Sequence, residues 1–219
     1  MAKVISIIHH KNSIDCLISG ALGDRIYCIR NGVQYSRSRP VHIFNPKSEA
    51  QLAHRAKFAA TIKFLKPLTD FIRSSFKNEH VAMSPFNLAM SYNLKNAMSG
   101  SYPNYAIDFS MAQVSHGTLR EALNPKVNLL GRGLLEFSWL DNSNNANCLF
   151  NDRVMLVVYN IEKQEAETVF YGNTREQESQ VITLPLSFEG DTVQCYIAFQ
   201  NANRRDVSNS QYLGSLVVK

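Results

Sequence analysis

From Lys126 onward the chain keeps one rhythm: VNLL, LLEFSWL, RVMLVVYN, ETVFY, QVITLPL, TVQCYIAFQ and YLGSLVV follow one another as short apolar runs. Between them stand GRG, DNSNNAN, YGNTREQES, FEGD and NANRRD, rich in Gly, Asn and Asp. Runs this short cannot carry the apolar period of a helix, and their β-branched and aromatic content suits a pleated, half-buried surface. Short strands at steady spacing with turn residues between them predict an antiparallel β-sandwich. Trp139 is expected between the sheets, TVQCYIAFQ as a central late strand, and Tyr196 as a corner tyrosine.

The front of the chain reads differently. DRIYCIR and VQYSRSR alternate in hydrophobicity and flank Asn31–Gly32, which predicts a hairpin. Pro40 ends its second strand or leaves that strand at an edge. Ser48, with Gln51 three residues on and Glu49 in the first turn, predicts a helix start. On the wheel Phe58, Ile62 and Leu65 share one face, while Ala53, Ala60 and Phe64 share another, roughly opposite. A helix apolar on two sides is expected between two packing surfaces, one of which could be supplied by another chain. Pro67 breaks this helix and LTDFIRSSF resumes it. Ser84, Pro85 and Gly100 bound a further helix, after which YAIDFSMAQVS reads as a strand.

The net charge of +5 is uneven. Between Arg25 and Lys77 there are 11 Lys or Arg against 2 acids. Such asymmetry fits a nucleic-acid surface. It equally fits head-to-tail contact between copies. Val33, Tyr35, Arg37 and Arg39 fall on one strand face by parity. Three readings stand side by side: a surface that stacks bases and holds phosphates, an edge strand guarded by charge, and arginines that pair with acids of a neighbouring subunit.

Chemistry is sparsely signalled. The histidines at 9, 10, 42, 54, 80 and 116 are scattered and H-E-x-x-H is absent. Ser115 and His116 are adjacent on a strand-like run, so they point to opposite faces and cannot act as nucleophile and base. GALGDR matches neither the Walker pattern nor the dinucleotide fingerprint, and a hairpin follows it instead of a helix. Cys16, Cys28, Cys148 and Cys195 form no C-x-x-C pair and are expected as free thiols. Catalytic residues, metal ligands and a cofactor are therefore all expected to be absent. No apolar run approaches a membrane span. MAKVISIIHHKNS is too short in its apolar part for a signal peptide, so cytoplasmic synthesis is expected.

RNGVQYSRSRP, NPKSEAQLAHRAKFAATIKFLKPL, SPFNLAMSYNLKNAMSGSYPNYAIDFS, FSWLDNS and VSNSQYLG together resemble a family of uncharacterised bacterial proteins found in the Bacteroidetes. The front segment is also similar, more weakly, to some phage-associated proteins. The resemblance spans nearly the whole chain and brings no catalytic residues with it. It implies that the full chain is the unit.

The sequence thus predicts an α+β chain. A basic β-hairpin and helices occupy residues 1–120, and a C-terminal antiparallel β-sandwich of immunoglobulin or fibronectin type III kind occupies 121–219. The expected function is non-enzymatic: a structural, phage-like assembly protein acting through self-association or other protein subunits. Its interaction residues are expected to be Arg25, Tyr35, Arg37, Arg39, Arg55, Lys57, Phe58, Ile62 and Leu65. The alternatives are a nucleic-acid-binding protein using the hairpin–helix region, and a sandwich module whose loops bind a glycan or surface partner.

Overall fold

A computed structural model describes residues 3–10, 13–30, 33–42, 44–76, 83–143 and 145–219. The fold is mixed α and β, and the chain divides into two compact units, Met1–Lys47 and Ser48–Lys219. The sequence suggests a boundary at 120/121 instead; the helices and the later strands fall together because they share a core.

Unit one is a four-stranded antiparallel meander, where the sequence predicts only a hairpin. Its strands are β1 (Lys3–His10), β2 (Ser13–Leu22), β3 (Arg25–Arg30) and β4 (Val33–Ser38), in that spatial order. Gly23–Asp24 turns the chain between β2 and β3, with Gly23 at φ +58° as a tight hairpin requires. Arg30 pairs with Val33, so a two-residue connection links β3 and β4; the expected Asn31–Gly32 turn itself lies outside the described residues. None of the residues from Ile18 to Lys47 whose exposure is described is buried.

Unit two opens with α1 (Glu49–Leu65). Ser48 caps it, its side chain accepting from the Gln51 amide. Pro67 then imposes a 3-10 turn at Lys66–Leu68, since it offers no amide to an α-helical ladder. Two more helices follow, α2 (Thr69–Ser75) and α3 (Pro85–Asn96), the latter capped by Ser84. It stops before the expected Gly100, because Met98–Ser101 (β5) pairs with Asn104–Ile107 (β6) in a small hairpin. Gly100 has to be glycine there: φ is +82°, and a Cβ would lie 2.4 Å from the Asn104 carbonyl oxygen.

All of the expected late strands form: β7 (Leu123–Gly131), β8 (Leu134–Leu140), β9 (Arg153–Asn160), β10 (Glu165–Val169), β11 (Ser179–Thr183), β12 (Thr192–Gln200) and β13 (Gln211–Val217). They make two antiparallel sheets, in the orders β11-β8-β7 and β10-β9-β12-β13. β9 and β12 pair residue by residue from Val193–Asn160 to Gln200–Arg153. Alternate residues of these two strands serve two cores. Val154, Leu156, Val158, Cys195, Ile197 and Phe199 join Leu135, Phe137 and Trp139 of β8. Met155, Val157, Tyr159, Tyr196 and Ala198 join Phe64, Leu65, Leu68, Phe71 and Ile72 of the helical segment. The four-stranded sheet is therefore covered by the other sheet on one face and by helices on the other.

Trp139 is 3% exposed, and its indole N–H donates to the Arg175 carbonyl at 2.8 Å. Its ring meets Phe199 edge-on at 5.4 Å. Trp139→Ala is expected to cost roughly 3–5 kcal/mol, from lost packing and the cavity left behind. Urea unfolding measures this, and the folded protein's tryptophan emission should be that of a shielded indole; emission at the free-tryptophan wavelength would contradict the placement.

Candidate interaction surface

The residues singled out from sequence fall in different units. Arg25, Tyr35, Arg37 and Arg39 belong to the meander and are all exposed. Cys28 lies opposite Tyr35 and Ile26 opposite Arg37, so these four share one face of the sheet. Arg25 points its guanidinium at Ser36 Oγ, 3.3 Å away. Tyr35 keeps 48% of its surface exposed.

Arg55, Lys57, Phe58, Ile62 and Leu65 lie on α1. The Lys57 ammonium sits over the Tyr105 ring at 4.9 Å. His54, Arg55, Phe58, Ala59, Ile62 and Lys63 line a shallow groove along the helix. Leu65 does not belong to this surface. It is fully buried in the core beside Phe64 and Leu68, and Ile62 packs partly against the same core. Of the expected apolar face, Phe58 alone is exposed. The helix has a packed side that includes Leu65, and the residue spacing cannot show where that side ends.

A second surface, not expected from sequence, forms where three connections meet: residues 141–152, 170–178 and 201–210. Arg175 ties the first two together. Its side chain is fully buried, with one guanidinium nitrogen donating to Asn142 Oδ1 at 2.6 Å and to the Glu121 carbonyl at 3.4 Å. The other donates to the Arg120 carbonyl at 3.0 Å and to Asp152 Oδ2 at 3.3 Å. Its Cζ lies over the Phe199 ring, 3.8 Å from the ring centre. Asp152 Oδ2 also accepts from the Leu149 amide. Burial pulls the Arg175 guanidinium below its ordinary value, and the Asp152 carboxylate works against that shift.

Around this buried clamp the surface is apolar and cationic. Leu149 (58% exposed), Phe150 (56%) and Tyr171 (40%) are open to solvent. Arg153 and Arg204 both lie over the Tyr171 ring, at 5.0 and 4.7 Å. The Tyr171 hydroxyl donates to the Ala202 carbonyl, tying the 170–178 segment to 201–210. The Glu176 amide donates to the Phe150 carbonyl, tying it to 141–152. The sequence signal was available in YGN and NANRRD, an aromatic and paired arginines inside turn segments, but their meeting depends on the fold.

The titratable groups of the interior read as structural. Burial pushes the Cys195 thiol up to about 12, where no reactive thiolate forms at neutral pH. Burial likewise raises the Tyr196 phenol, whose hydroxyl donates to the Phe109 carbonyl instead of forming a strand corner. Ser115 Oγ is buried and donates to the Ser75 and Ser208 carbonyls, while His116 is exposed beside Phe76 and Tyr92. Among the described residues no three His, Cys, Asp or Glu side chains gather as a metal site would need, and no helix is long and apolar enough to cross a membrane.

Arg175→Met leaves Asp152 buried without its counter-charge and is expected to cost about 3–5 kcal/mol in urea unfolding; a loss below about 1 kcal/mol would show that the clamp carries little. A pH dependence follows from the raised thiol. Cys195 stays protonated in the folded chain at a pH where the unfolded chain ionises. Its contribution is intact below the ordinary thiol range and is lost as pH climbs toward 12. Tyr196 acts in the same direction. The urea midpoint should fall steadily from about pH 8.5 upward, and Cys195→Ala should flatten the early part of that fall.

No curated protein matches the chain by sequence. A model of a family of unknown function (DUF6266) matches residues 17–214, spanning β3 and β4 of the meander together with nearly all of unit two. With almost its full length inside that match, the chain belongs to this family.

Proposed function

We propose that this chain is a non-enzymatic structural protein, a building block of a larger assembly that works through protein–protein contacts. One observation carries the reading: Leu149, Phe150 and Tyr171 stand exposed beside Arg153 and Arg204, on connections tied to one another by Arg175 and by the Tyr171 hydroxyl. Tyrosine and arginine are the residues that dominate interface energetics, and a surface held rigid before binding loses little entropy when a partner docks. The desolvated Cys195 and Tyr196 support a structural interior over a catalytic one.

Unit two is a fibronectin type III-like sandwich in this reading. Its first, second and fifth late strands share one sheet, and the third, fourth, sixth and seventh share the other. That partition, with the aromatic Trp139 between the sheets, supports the assignment. Modules of this kind present the loops at one end to partners. The exposed aromatics Phe150, Phe170 and Tyr171 favour a second reading, in which these loops bind a glycan or a cell-surface partner. Tyr171 already has guanidinium groups over its ring, and Phe170 leans on Phe71 at 5.6 Å. Ring faces for stacking on a sugar are thereby largely engaged, which favours a protein partner.

The full chain is expected to sediment as a concentration-dependent oligomer at about 200 mM salt, because apolar contact contributes about 25 cal/mol per Å² at any ionic strength. Phe150→Asp should return it to monomer, while Phe58→Asp on the α1 groove should leave the oligomer in place. A monomer at every concentration would refute self-assembly, and binding of immobilised oligosaccharides that Phe150→Asp abolishes would transfer the surface to the second reading.

A further inference from the structure

We infer that the meander is a binding platform for single-stranded nucleic acid, which goes beyond the assembly role and uses the other unit of the chain. Met1–Lys47 holds 7 Lys or Arg against 2 Asp or Glu, a net +5, while Ser48–Lys219 holds 16 of each. The entire net charge of the protein therefore resides on its first 47 residues. No unit of this chain offers a matching negative excess. A copy's second unit carries no net negative charge with which to answer the meander, and two meanders repel each other. The complementary partner is a polyanion outside the chain.

The sheet itself says which polyanion. From Ile18 to Lys47 no side chain whose exposure is described is buried. On one face Val33, Tyr35 and Arg37 alternate along β4, opposite Cys28 and Ile26 of β3. On the other, Tyr27 and Ile29 lie beside Arg25. Aromatic, aliphatic and cationic residues are interleaved at strand spacing on both faces. A membrane-seeking surface separates an apolar wedge from its basic rim; this sheet does not. Interleaving suits a chain in which bases and phosphates alternate, the bases stacking on an exposed ring and the phosphates meeting guanidiniums. On the face of Val33, Tyr35 takes the stacking role, and Arg37 and Arg39 the phosphate role. Charge that merely guards an edge strand against wrong pairing calls for one or two arginines on β4. It does not call for a half-exposed tyrosine and an exposed valine on the same face.

The probe is a labelled single-stranded oligothymidylate, with an abasic oligomer of equal length as comparison, and fluorescence anisotropy of the full chain as readout. Binding is expected at about 50 mM salt, weakening roughly fiftyfold by about 200 mM if four phosphates are contacted. The abasic oligomer should bind roughly tenfold more weakly, since it has phosphates and no ring to stack. Tyr35→Ala should bring the thymine oligomer down to that level and leave affinity for the abasic oligomer unchanged, which separates stacking from folding, and Tyr35→Phe should restore the thymine oligomer's affinity. Arg37→Gln should lower the salt slope by about 0.7. Phe150→Asp should leave the anisotropy unchanged while altering sedimentation, so the two surfaces fail or succeed separately. Absence of binding at low salt, equal affinity for the abasic oligomer, tighter binding to phosphatidylserine vesicles, or dispersal of oligomers by Arg37→Gln would each overturn the inference.

Discussion

The pairing of β9 with β12 is the constraint on which the rest of unit two depends. Both strands are buried on both faces, because each lends one set of alternating side chains to the neighbouring sheet and the other set to the helices. A strand in that position cannot alternate apolar with polar residues, and VMLVVY and CYIAF do not. Polar residues that remain there are bonded: Gln194 Oε1 accepts from the Tyr212 hydroxyl, and Asn160 donates to Asp191. The helices are thus part of the four-stranded sheet's own burial, and removing them would expose Met155, Val157 and Tyr159 to water. For the same reason no domain boundary falls between helix and strand.

Arg175 works on a different principle. Burying a guanidinium is costly, and the attraction of Asp152 at 3.3 Å offsets that cost only in part. Asp152 Oδ1 and Arg175 Nε find no hydrogen-bond partner, so the pair is not an optimised stabiliser. What the pair supplies is geometry. One planar group contacts residues 120, 121, 142 and 152 together, and an apolar side chain of equal volume could not hold those carbonyls in register.

How much of this was legible in the sequence divides by range. The seven late strands, the Ser48 cap, the Ser84–Pro85 start and the Pro67 break are local: each is encoded within a few residues by period, cap chemistry or a missing amide. β1 and β2 were missed because VISII and CLISG hold too little alternation to stand out, and they become strands through pairing with each other and with β3. Leu65 was misplaced because a wheel gives angles between residues and not which of two apolar sides the protein covers. Arg175 in GNTREQ looks like any turn arginine, and only tertiary structure puts Phe199, Asp152 and Trp139 around it. The candidate surface was illegible for the same reason: Phe150, Tyr171 and Arg204 lie on separate connections whose ends the sheets bring together.

The two units are stabilised by different means, and this bears on what each can do. Unit two holds two apolar cores, so its conformation is set before any partner arrives. The meander shows no such reserve from Ile18 onward: β3 and β4 are held by backbone pairing and by side chains that, where described, stay partly wet. A sheet without a buried face is marginal in water. Whatever binds the meander adds directly to its stability, by an amount that grows with ligand concentration over the dissociation constant. Its +5 charge opposes compaction when alone and favours it when neutralised. Folding stability and binding are therefore one linked quantity in the first unit and two separable quantities in the second. A substitution such as Arg37→Gln would weaken a ligand contact in the bound state and relieve self-repulsion of the meander in the unbound one. A substitution at Tyr171 in unit two leaves the fold's own cores untouched.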